Sequence, residues 1–546
     1  MSQAAAAAAS SRGLGRSTAV MAGGTLASRV TGLLRLLVAA YALGFNHFSD
    51  AFNLANNTPN IVHDLVLGGI LSATFVPLFV DRLAKRTEHE ANEAISAVVS
   101  LSVVILVAAT LALVLAAPYI IDLYSIGTHT ANIATERSVA TELLRLFALQ
   151  LFGYGAISLM TAILNAVRRF AVAAYVPVIN NAVAIAILIE FHLADPSFAK
   201  NPSIAAVSHN TGMLLLLGLG TTAGVVLQAA ALVPSTMRSG VRLHFRWAPR
   251  DGAVREIMSL SSWTLGFVVA NQIALFITLA VAVHIDPSGG AVTAYTYAFT
   301  FFQLPFGMIA VSIMSTVTPE LSHRWSTGDL DGMAHHFGLG LRRMMAGIWP
   351  ATVGYLVLAG PIMALLVSYG AANKVGARLT ASLLTWLAVG LPGYCAYLLA
   401  ITALQSMRDT RTAFFLYVLE NGLNILLLFV LMGDLKAKAL ALSLAVAYSV
   451  SAVIALAVVR HKMHGLGGSG VARYVGRSFV LSLVMAFAVA LVAAGIGAGS
   501  GIGLLERVVA GVVVGGLVYG GGASLAGMVS GWQTSGRRRQ AAGKGL

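Results

Sequence analysis

Long apolar runs, each close to the length of a membrane-spanning helix, follow one another along the whole chain. A bilayer core about 30 Å thick needs about 20 consecutive apolar residues in an α-helix. The pattern predicts an all-α polytopic membrane protein with fourteen transmembrane helices, which we number spans 1–14. The spans are residues 18–43, 51–80, 94–117, 138–167, 171–193, 211–233, 254–284, 291–318, 340–368, 378–406, 412–433, 437–459, 474–498 and 505–530.

The basic residues fall mainly in alternate loops, which tests this count of spans. If the N-terminus is cytoplasmic, the loops and tails inside hold 25 Lys and Arg residues, whereas those outside hold 7. Positive residues concentrate in the cytoplasmic loops of membrane proteins. The asymmetry supports fourteen spans and predicts a multi-pass protein of the cytoplasmic membrane, with both termini in the cytoplasm.

The composition excludes several classes of function. The chain is 58% hydrophobic and 10% charged, whereas soluble domains carry about 25% charged residues. Topology signals and contacts with anionic membrane lipids account for the net charge of +14, so we expect no nucleic-acid partner. The single cysteine, Cys395, can form neither an intramolecular disulfide nor a metal site by itself.

Short tails flank the spans. Residues 1–17 are small, polar and basic, which predicts a disordered cytoplasmic tail before a first span that is retained as an anchor. Residues 531–546 form a second, basic cytoplasmic tail. No loop is long enough for a folded domain, so the function is expected to lie in the membrane.

The sequence repeats itself at a shift of 240 residues, with residues 153–181 similar to residues 393–421. The identical pairs include Gly153 and Gly393, Tyr154 and Tyr394, Arg168 and Arg408, and Asn181 and Asn421. Because six spans separate the copies, the two halves are parallel in the membrane. Parallel repeats are typical of transporters that bind substrate near mid-membrane.

The repeat predicts two parallel six-helix lobes around a central cavity. The N-lobe is predicted at residues 18–233 and the C-lobe at residues 254–460. The last two spans, within residues 474–530, fall outside the repeat.

Two arginines interrupt the first span. Arg29 lies about 16 Å into the span at 1.5 Å per residue, near the middle of the membrane. A charge at that depth costs about 2.5–3.5 kcal/mol unless it faces a polar cavity. Since no acidic residue lies one turn away, Arg29 and Arg35 predict a cavity that binds an anion. The alternatives are snorkelling of Arg35 to the interface and pairing of Arg29 with a distant acid.

The second span is unusually polar for a membrane helix, and Asp50, Asn60, His63 and Asp64 lie in it or at its start. So many polar groups favour a helix that lines a cavity. We therefore group these four residues with the two arginines as candidate substrate-binding residues. Asp64 is the acid best placed to pair with Arg29 or with His63, whereas Asp50 can also mark the outer end of the span.

Three further residues have alternative explanations. Glu420 and Asn424 in span 11 are four apart and share a helix face. Their oxygens suit a small hard cation, although a helix–helix hydrogen bond explains them equally well. Arg145, near the outer end of span 4, is a gate residue or a snorkelling side chain. The sequence has no catalytic motif and no metal-ligand set, so we expect neither an enzyme nor a resident cofactor, but at most coupling to Na⁺ or H⁺.

Several short motifs are specific enough to indicate a family. They are SRVTGLLR at residues 28–35, Asp50-Ala51-Phe52, Thr58-Pro59-Asn60, Ser72 to Pro77, the segment from Leu164 to Asn181, and MRDTRT at residues 407–412. With these motifs the chain resembles, over about residues 15–530, the MurJ (MviN) family of lipid II flippases, in the multidrug/oligosaccharidyl-lipid/polysaccharide exporter superfamily. The segment HDLVLGG after the Pro-Asn pair is similar to actinobacterial members.

The resemblance implies a transporter with fourteen helices, two lobes and a central basic cavity. Its substrate would be lipid II, an undecaprenyl-pyrophosphate-linked disaccharide–pentapeptide that moves from the inner to the outer leaflet by alternating access. The membrane potential would assist this movement, and proteins of cell-wall assembly and division would be partners. Arg29, Arg35, Asp50 and Asn60 match family positions associated with function.

The chain also departs from the family pattern. Many members carry arginines after the Pro-Asn pair of span 2 and another in span 8, where this chain has His63-Asp64 and Phe299-Thr300. This difference gives Arg29 and Arg35 more weight and makes His63 a conditional third cation.

Three other functions remain open from the sequence. A flippase for another lipid-linked glycan would share the fold. An ion-coupled multidrug exporter would need deep acids and aromatic residues rather than unpaired arginines. A non-transporting scaffold for cell-wall assembly would tolerate replacement of Arg29.

Overall fold

The computed structural model describes residues 3–68, 75–85, 87–128, 133–194, 198, 203–286, 288–372, 374–468, 470–497 and 501–528. Among these residues, thirteen helices are long and apolar enough to cross a membrane. The predicted all-α, polytopic membrane fold is therefore confirmed. Span 2 is not among the thirteen, because its helix is interrupted within the described part of the chain. The basic tail at residues 531–546 and Ser72 to Thr74 of the family motif lie outside the described residues.

The chain divides into two compact units. Unit 1 comprises residues 1–293 and 369–373. Its helices are α1 (Gln3–Leu43), α2 (His47–His63), α3 (Val76–Lys85), α4 (Glu88–Tyr124), α5 (Ile133–Ala166), α6 (Phe170–Tyr175), α7 (Pro177–Ala194), α8 (Ile204–Ser208), α9 (Thr211–Met237) and α10 (Gly252–Ile285). Helix α10, which corresponds to span 7, packs against α4 within this unit.

Unit 2 comprises residues 294–368 and 374–546. Its helices are α11 (Ala291–Pro305), whose first turn belongs to unit 1, α12 (Val311–Ser326), α13 (Leu330–Val367), α14 (Lys374–Ser406), α15 (Thr410–Leu435), α16 (Lys438–Lys462), α17 (Gly470–Ile496) and α18 (Ile502–Leu525). Helix α14 is the centre of the unit and packs against α13 and α16. The two predicted lobes, with their boundaries at 233 and 254, stay a prediction.

The first helix begins earlier than the sequence analysis expected. Helix α1 runs from Gln3 to Leu43 and so includes residues that were assigned to a disordered tail. The run from Ala4 to Ala9 explains the difference, because alanine has the highest helix propensity. The polar composition of the segment was given more weight than that propensity.

The helix of span 2 is split by a π-helical turn. Helix α2 ends at His63 and the backbone continues as a π-helix over Asp64–Gly68. A second π-helix, Phe306–Ala310, follows α11 in span 8, which is the counterpart of span 2 in the repeat. Such turns interrupt the regular helical bonding and are frequent at functional sites. The two interruptions follow the same repeat that the sequence shows.

The repeat is also visible in two tight turns. Arg168 and Arg408 both have the left-handed backbone conformation, each with φ of 59°. In the first turn the nitrogen of Arg169 donates to the carbonyl of Leu164 at 2.8 Å, and in the second the nitrogen of Asp409 donates to that of Leu404 at 2.9 Å. These six-to-one bonds define a Schellman cap at the end of a helix. The equivalent turns thus match in conformation as well as in sequence.

Candidate functional site

The side chain of Asn181 on α7 forms hydrogen bonds with α1. Its Nδ2 donates hydrogen bonds to the hydroxyl of Thr31 at 3.0 Å and to the carbonyl oxygen of Ser28 at 3.3 Å. Glycine allows a close approach nearby, since a Cβ at Gly24 would lie 2.8 Å from the Cβ of Ala174. These contacts fix the rotation of α1 about its axis, and with it the direction of its two arginines.

Arg29 follows directly after the first of these contacts and is exposed on unit 1. No described residue forms a hydrogen bond or an ion pair with it. The alternative of a pairing with a distant acid is therefore not realised among the described residues. An uncompensated cation in an apolar span is available to an anionic ligand.

Arg35 is half-buried and lies near Tyr154 of α5. The guanidinium interacts electrostatically with the tyrosine hydroxyl, which also forms a hydrogen bond with Asn60. The same hydroxyl donates to Oε1 of Gln150 at 2.9 Å, and Nδ2 of Asn60 also donates to the carbonyl of Asn56 at 3.2 Å. Arg35 and Asn60, predicted separately, thus meet at one tyrosine.

His63 extends this group of polar residues towards α10. Its Nε2 lies 3.2 Å from the hydroxyl of Ser158, and its Nδ1 lies 3.1 Å from Oδ1 of Asp64. The other oxygen of Asp64 accepts a hydrogen bond of 2.9 Å from Nε2 of Gln272. The ring of His63 stands edge-on to that of Tyr154, with 6.1 Å between the ring centres. Asp64 therefore pairs with His63, which was one of its two predicted partners, and not with Arg29.

We name this group the Arg35–His63 cluster. It consists of Arg35, Asn60, His63, Asp64, Tyr154, Ser158 and Gln272. It contains one arginine, one acid and one imidazole, and its other members are neutral hydrogen-bonding groups. Such a set can bind a charged and hydroxyl-rich headgroup through several directed bonds.

Sequence reasoning missed three members of the cluster, which are Tyr154, Ser158 and Gln272. Tyr154 and Ser158 continue, at steps of four from Gln150, a polar stripe along α5. This spacing places them on one face of the helix, so the stripe could have been found from the sequence. Gln272 lies beside Asn271 in span 7, and the spacing of these two residues gives no comparable signal.

Asp50 lies apart from the cluster, at the beginning of α11. Its carboxylate accepts hydrogen bonds from the backbone nitrogens of Gly290 at 2.7 Å and Thr293 at 2.8 Å, and from the Thr293 hydroxyl at 2.7 Å. The side chain of Asn46 caps α2 and so fixes the backbone from which Asp50 projects. Asp50 thus satisfies the free N–H groups of a helix start, as a cap from its own helix normally does. The structure brings it to no other predicted site residue.

Arg145 is exposed on α5. Within the described ranges it has no ion pair or hydrogen bond. The structure does not bring it to the Arg35–His63 cluster, and its role as a gate stays a prediction.

In unit 2, Glu420 and Asn424 are both buried on α15, with exposed fractions of 1% and 4%. Oε1 of Glu420 and Oδ1 of Asn424 have no hydrogen-bond donor among the described residues, nor has the hydroxyl of Tyr397. The tyrosines that interact electrostatically with Glu420 are Tyr295, Tyr394, Tyr397, Tyr417 and Tyr448.

Oxygen atoms without donors are the ligands that a hard cation or a proton would satisfy. A buried carboxyl group that lacks a donor is costly unless it is neutralised. No group of three or more His, Cys, Asp or Glu side chains that could hold a metal ion occurs in the described part of the chain. The pair Glu420 and Asn424 therefore fits a proton or an alkali cation rather than a transition metal.

Comparison with known proteins identifies one family. The family described as Lipid II flippase MurJ matches residues 39–505. The chain is 26% identical to a probable lipid II flippase MurJ of Rhizobium meliloti (strain 1021) over 450 residues, which cover 82% of this chain and 80% of the relative. It is 24% identical to the lipid II flippase MurJ of Burkholderia cenocepacia over 407 residues, which cover 73% and 74% of the two chains.

Solved structures show the same fold. A structure of lipid II flippase MurJ in an inward closed conformation matches with a TM-score of 0.74 at 20% identity, and covers 93% of this chain and 98% of the other. An inward-facing multidrug resistance MATE family transporter of the MOP superfamily matches with a TM-score of 0.65 at 15% identity, and covers 80% and 95% of the two chains.

Proposed function

This chain belongs to the MurJ family of lipid II flippases, and from that premise we propose that it carries lipid II from the inner to the outer leaflet of the cytoplasmic membrane. The family consists of transporters and not of enzymes, in agreement with the lack of a catalytic motif in the sequence. The observation that supports the proposal most directly is that Arg29 is exposed on α1 and has no hydrogen bond or ion pair with any described residue.

The pyrophosphate of the substrate explains the arginines. A pyrophosphate carries two or more negative charges, and a guanidinium can bind its oxygens through two parallel hydrogen bonds. Arg29 has no competing partner among the described residues, and the interaction described above for Arg35 is an electrostatic one with Tyr154. Both arginines can therefore form strong hydrogen bonds with phosphate and lose few interactions with the protein. The polyprenyl chain would remain in the lipid.

The rest of the Arg35–His63 cluster would bind the sugar and help to bind phosphate. Asn60, Tyr154 and Ser158 offer neutral donors and acceptors, which suit hydroxyl and amide groups. Asp64 is held by Gln272 and orients His63, so that the Nε2 side of the imidazole faces the cluster at Ser158. His63 would be a conditional third cation beside Arg29 and Arg35.

Two sources of energy would drive the cycle. A potential that is negative inside favours outward movement of an anion by about 2.3 kcal/mol per charge per 100 mV. Binding of Na⁺ or H⁺ at Glu420 and Asn424 would neutralise the buried carboxyl group and return the empty carrier.

The basic loops and both termini would face the cytoplasm, where the loops would contact anionic lipids. Proteins of cell-wall assembly and division are further proposed partners. We also propose that the chain is an actinobacterial-type member of the family.

Complementation tests the proposal. A strain depleted of its own lipid II flippase would receive the wild-type chain, Arg29→Ala, or Arg473→Ala, which removes an exposed arginine of α17 outside the proposed site. An enzyme added outside the cells that cleaves only exposed lipid II would measure its arrival in the outer leaflet. We expect the wild type and Arg473→Ala to restore growth and external cleavage, and equally expressed Arg29→Ala to restore neither.

The other outcomes separate the alternatives. If wild type and Arg29→Ala restore both readouts equally, the arginine does not bind the substrate. If the wild type is well expressed but restores neither, another lipid-linked glycan becomes the better substrate. If growth returns without external cleavage, the chain acts as a scaffold for cell-wall assembly.

A further inference from the structure

The segment between α9 and α10 is extended and lies along α4. We name residues 241–247, VRLHFRW, the strap. Three backbone nitrogens of the strap donate to side chains of α4: Arg242 to Oδ1 of Asn92 at 3.2 Å, His244 to the hydroxyl of Ser96 at 3.2 Å, and Arg246 to the hydroxyl of Ser100 at 2.9 Å.

The strap fits along α4 because the spacing of its backbone nitrogens matches the spacing of the side chains of α4. Four residues of an α-helix advance about 6 Å, and two residues of an extended chain advance about 6.6 Å. Side chains at positions 92, 96 and 100 therefore meet the nitrogens of residues 242, 244 and 246 in register. The strap is thus a fixed element of unit 1 and not a flexible connection.

Contacts with acidic side chains strengthen one face of the strap. Nε2 of His244 and Nε of Arg246 lie 2.9 Å and 2.8 Å from the two oxygens of Glu93. A terminal nitrogen of Arg246 also lies 3.3 Å from Oδ2 of Asp251. The side chains of His244 and Arg246 therefore turn towards polar partners.

From residue 243 onward, the odd-numbered side chains of the strap are apolar and exposed. In an extended chain successive side chains point to opposite faces, and Leu243, Phe245 and Trp247 have exposed fractions of 42%, 73% and 56%. These three large apolar side chains form a stripe whose exposure to water is unfavourable. Arg238, Arg242, Arg250 and Arg255 are exposed on and beside the strap.

The position of the strap indicates what covers this stripe. It runs beside residues 92–100 of α4, and the sequence predicts that the membrane begins at residue 94. Aromatic side chains collect at the level of the lipid headgroups, and basic side chains are attracted to acidic lipids. We propose that the strap is an interfacial anchor, with Leu243, Phe245 and Trp247 inserted among the headgroups of an acidic lipid surface.

Single-cysteine labelling tests the anchor. The native Cys395 is buried and would be replaced by serine, and a nitroxide would then be attached to cysteines placed one at a time at positions 242, 243, 245 and 247. The purified full chain would be reconstituted into nanodiscs of phosphatidylcholine with or without phosphatidylglycerol. For each position, the frequency of collisions of the nitroxide with oxygen, which concentrates in lipid, would be compared with that of its collisions with a water-soluble nickel complex.

We expect oxygen collisions to dominate at 243, 245 and 247, and nickel collisions to dominate at 242, the matched control on the same strap. Phosphatidylglycerol should raise the ratio of oxygen to nickel collisions at positions 243, 245 and 247, because these side chains should then lie deeper in the lipid. Dominant nickel collisions at all four positions would overturn the proposal, because the stripe would then face water. Protection from both reagents at the odd positions would also overturn it, because a protein surface would then cover the stripe.

Discussion

Asp50 has one role predicted from the sequence and another indicated by its contacts in the structure, and substitution of this residue tests which of the two it has. The polar pattern of span 2 places it among the candidate substrate-binding residues, whereas its carboxylate accepts three hydrogen bonds at the beginning of α11. It is 7% exposed. If its role is to hold α11, Asp50→Ala should destabilise unit 1, and Asp50→Asn should do so less, because one side-chain oxygen remains.

The contacts set the size of the effect. Loss of a side-chain cap costs about 0.5–2 kcal/mol, and a buried donor left without an acceptor costs about 1–3 kcal/mol. The Thr293 hydroxyl can turn towards Ser49, 3.1 Å away, but the nitrogens of Gly290 and Thr293 have no such substitute. We therefore expect a loss of about 2–4 kcal/mol for Asp50→Ala, and of about 1–2 kcal/mol for Asp50→Asn.

Thermal unfolding in detergent, followed by the fraction of monodisperse protein after heating, measures this difference. Asp122→Asn serves as the control, since that side chain is exposed and its nearest basic partner lies 3.5 Å away. We expect the unfolding temperature to fall in the order control, Asp50→Asn, Asp50→Ala. Wild-type stability of Asp50→Asn together with loss of complementation would refute the capping role and restore Asp50 to the substrate.

Three further predictions follow from other contacts. Glu136 raises the pKa of His47 through a hydrogen bond. The resulting stabilisation is complete below the pKa of His47 in the unfolded chain, about 6.5, and is lost as the pH rises through its pKa in the folded protein. The unfolding temperature should therefore fall over that pH range, and His47→Gln should remove this pH dependence. Arg168→Gly and Arg408→Gly should each raise stability by about 1 kcal/mol, measured by the same unfolding assay, because glycine adopts positive φ without strain. Glu420→Gln should abolish the dependence of lipid II transport on Na⁺ or H⁺ in proteoliposomes while leaving the folded fraction unchanged; an unaltered ion dependence would exclude this site from coupling.

The fold could be predicted from the sequence because membrane spans are set by length and hydropathy alone. The sequence missed the split of span 2 after His63, since a π-helical turn changes hydrogen bonding without changing hydropathy. It also missed the helix from Gln3 to the first span. The repeat, in contrast, was readable and recurs in the turns at Arg168 and Arg408.

The candidate site could be predicted only in part. Arg29 and Arg35 were identified by the cost of burying charge in lipid, which depends on their own positions. The partners of Arg35 and His63 depend on how α1, α2, α5 and α10 rotate against one another, and sequence spacing within one helix does not give that rotation. This is why Gln272 was missed, and why the choice of Asp64 between Arg29 and His63 stayed open.

The contact between the strap and α4 has a consequence for biogenesis. The strap's nitrogens come 146–150 residues after the side chains that they meet, so at about 5–20 residues per second the ribosome needs roughly 7–30 s to supply them. During that interval Asn92, Ser96 and Ser100 present an unsatisfied polar stripe at the start of α4. Insertion of α4 therefore has to be tolerated before its last partner has been synthesised, and slower translation through residues 101–241 would lengthen the time for which the nascent protein can be degraded.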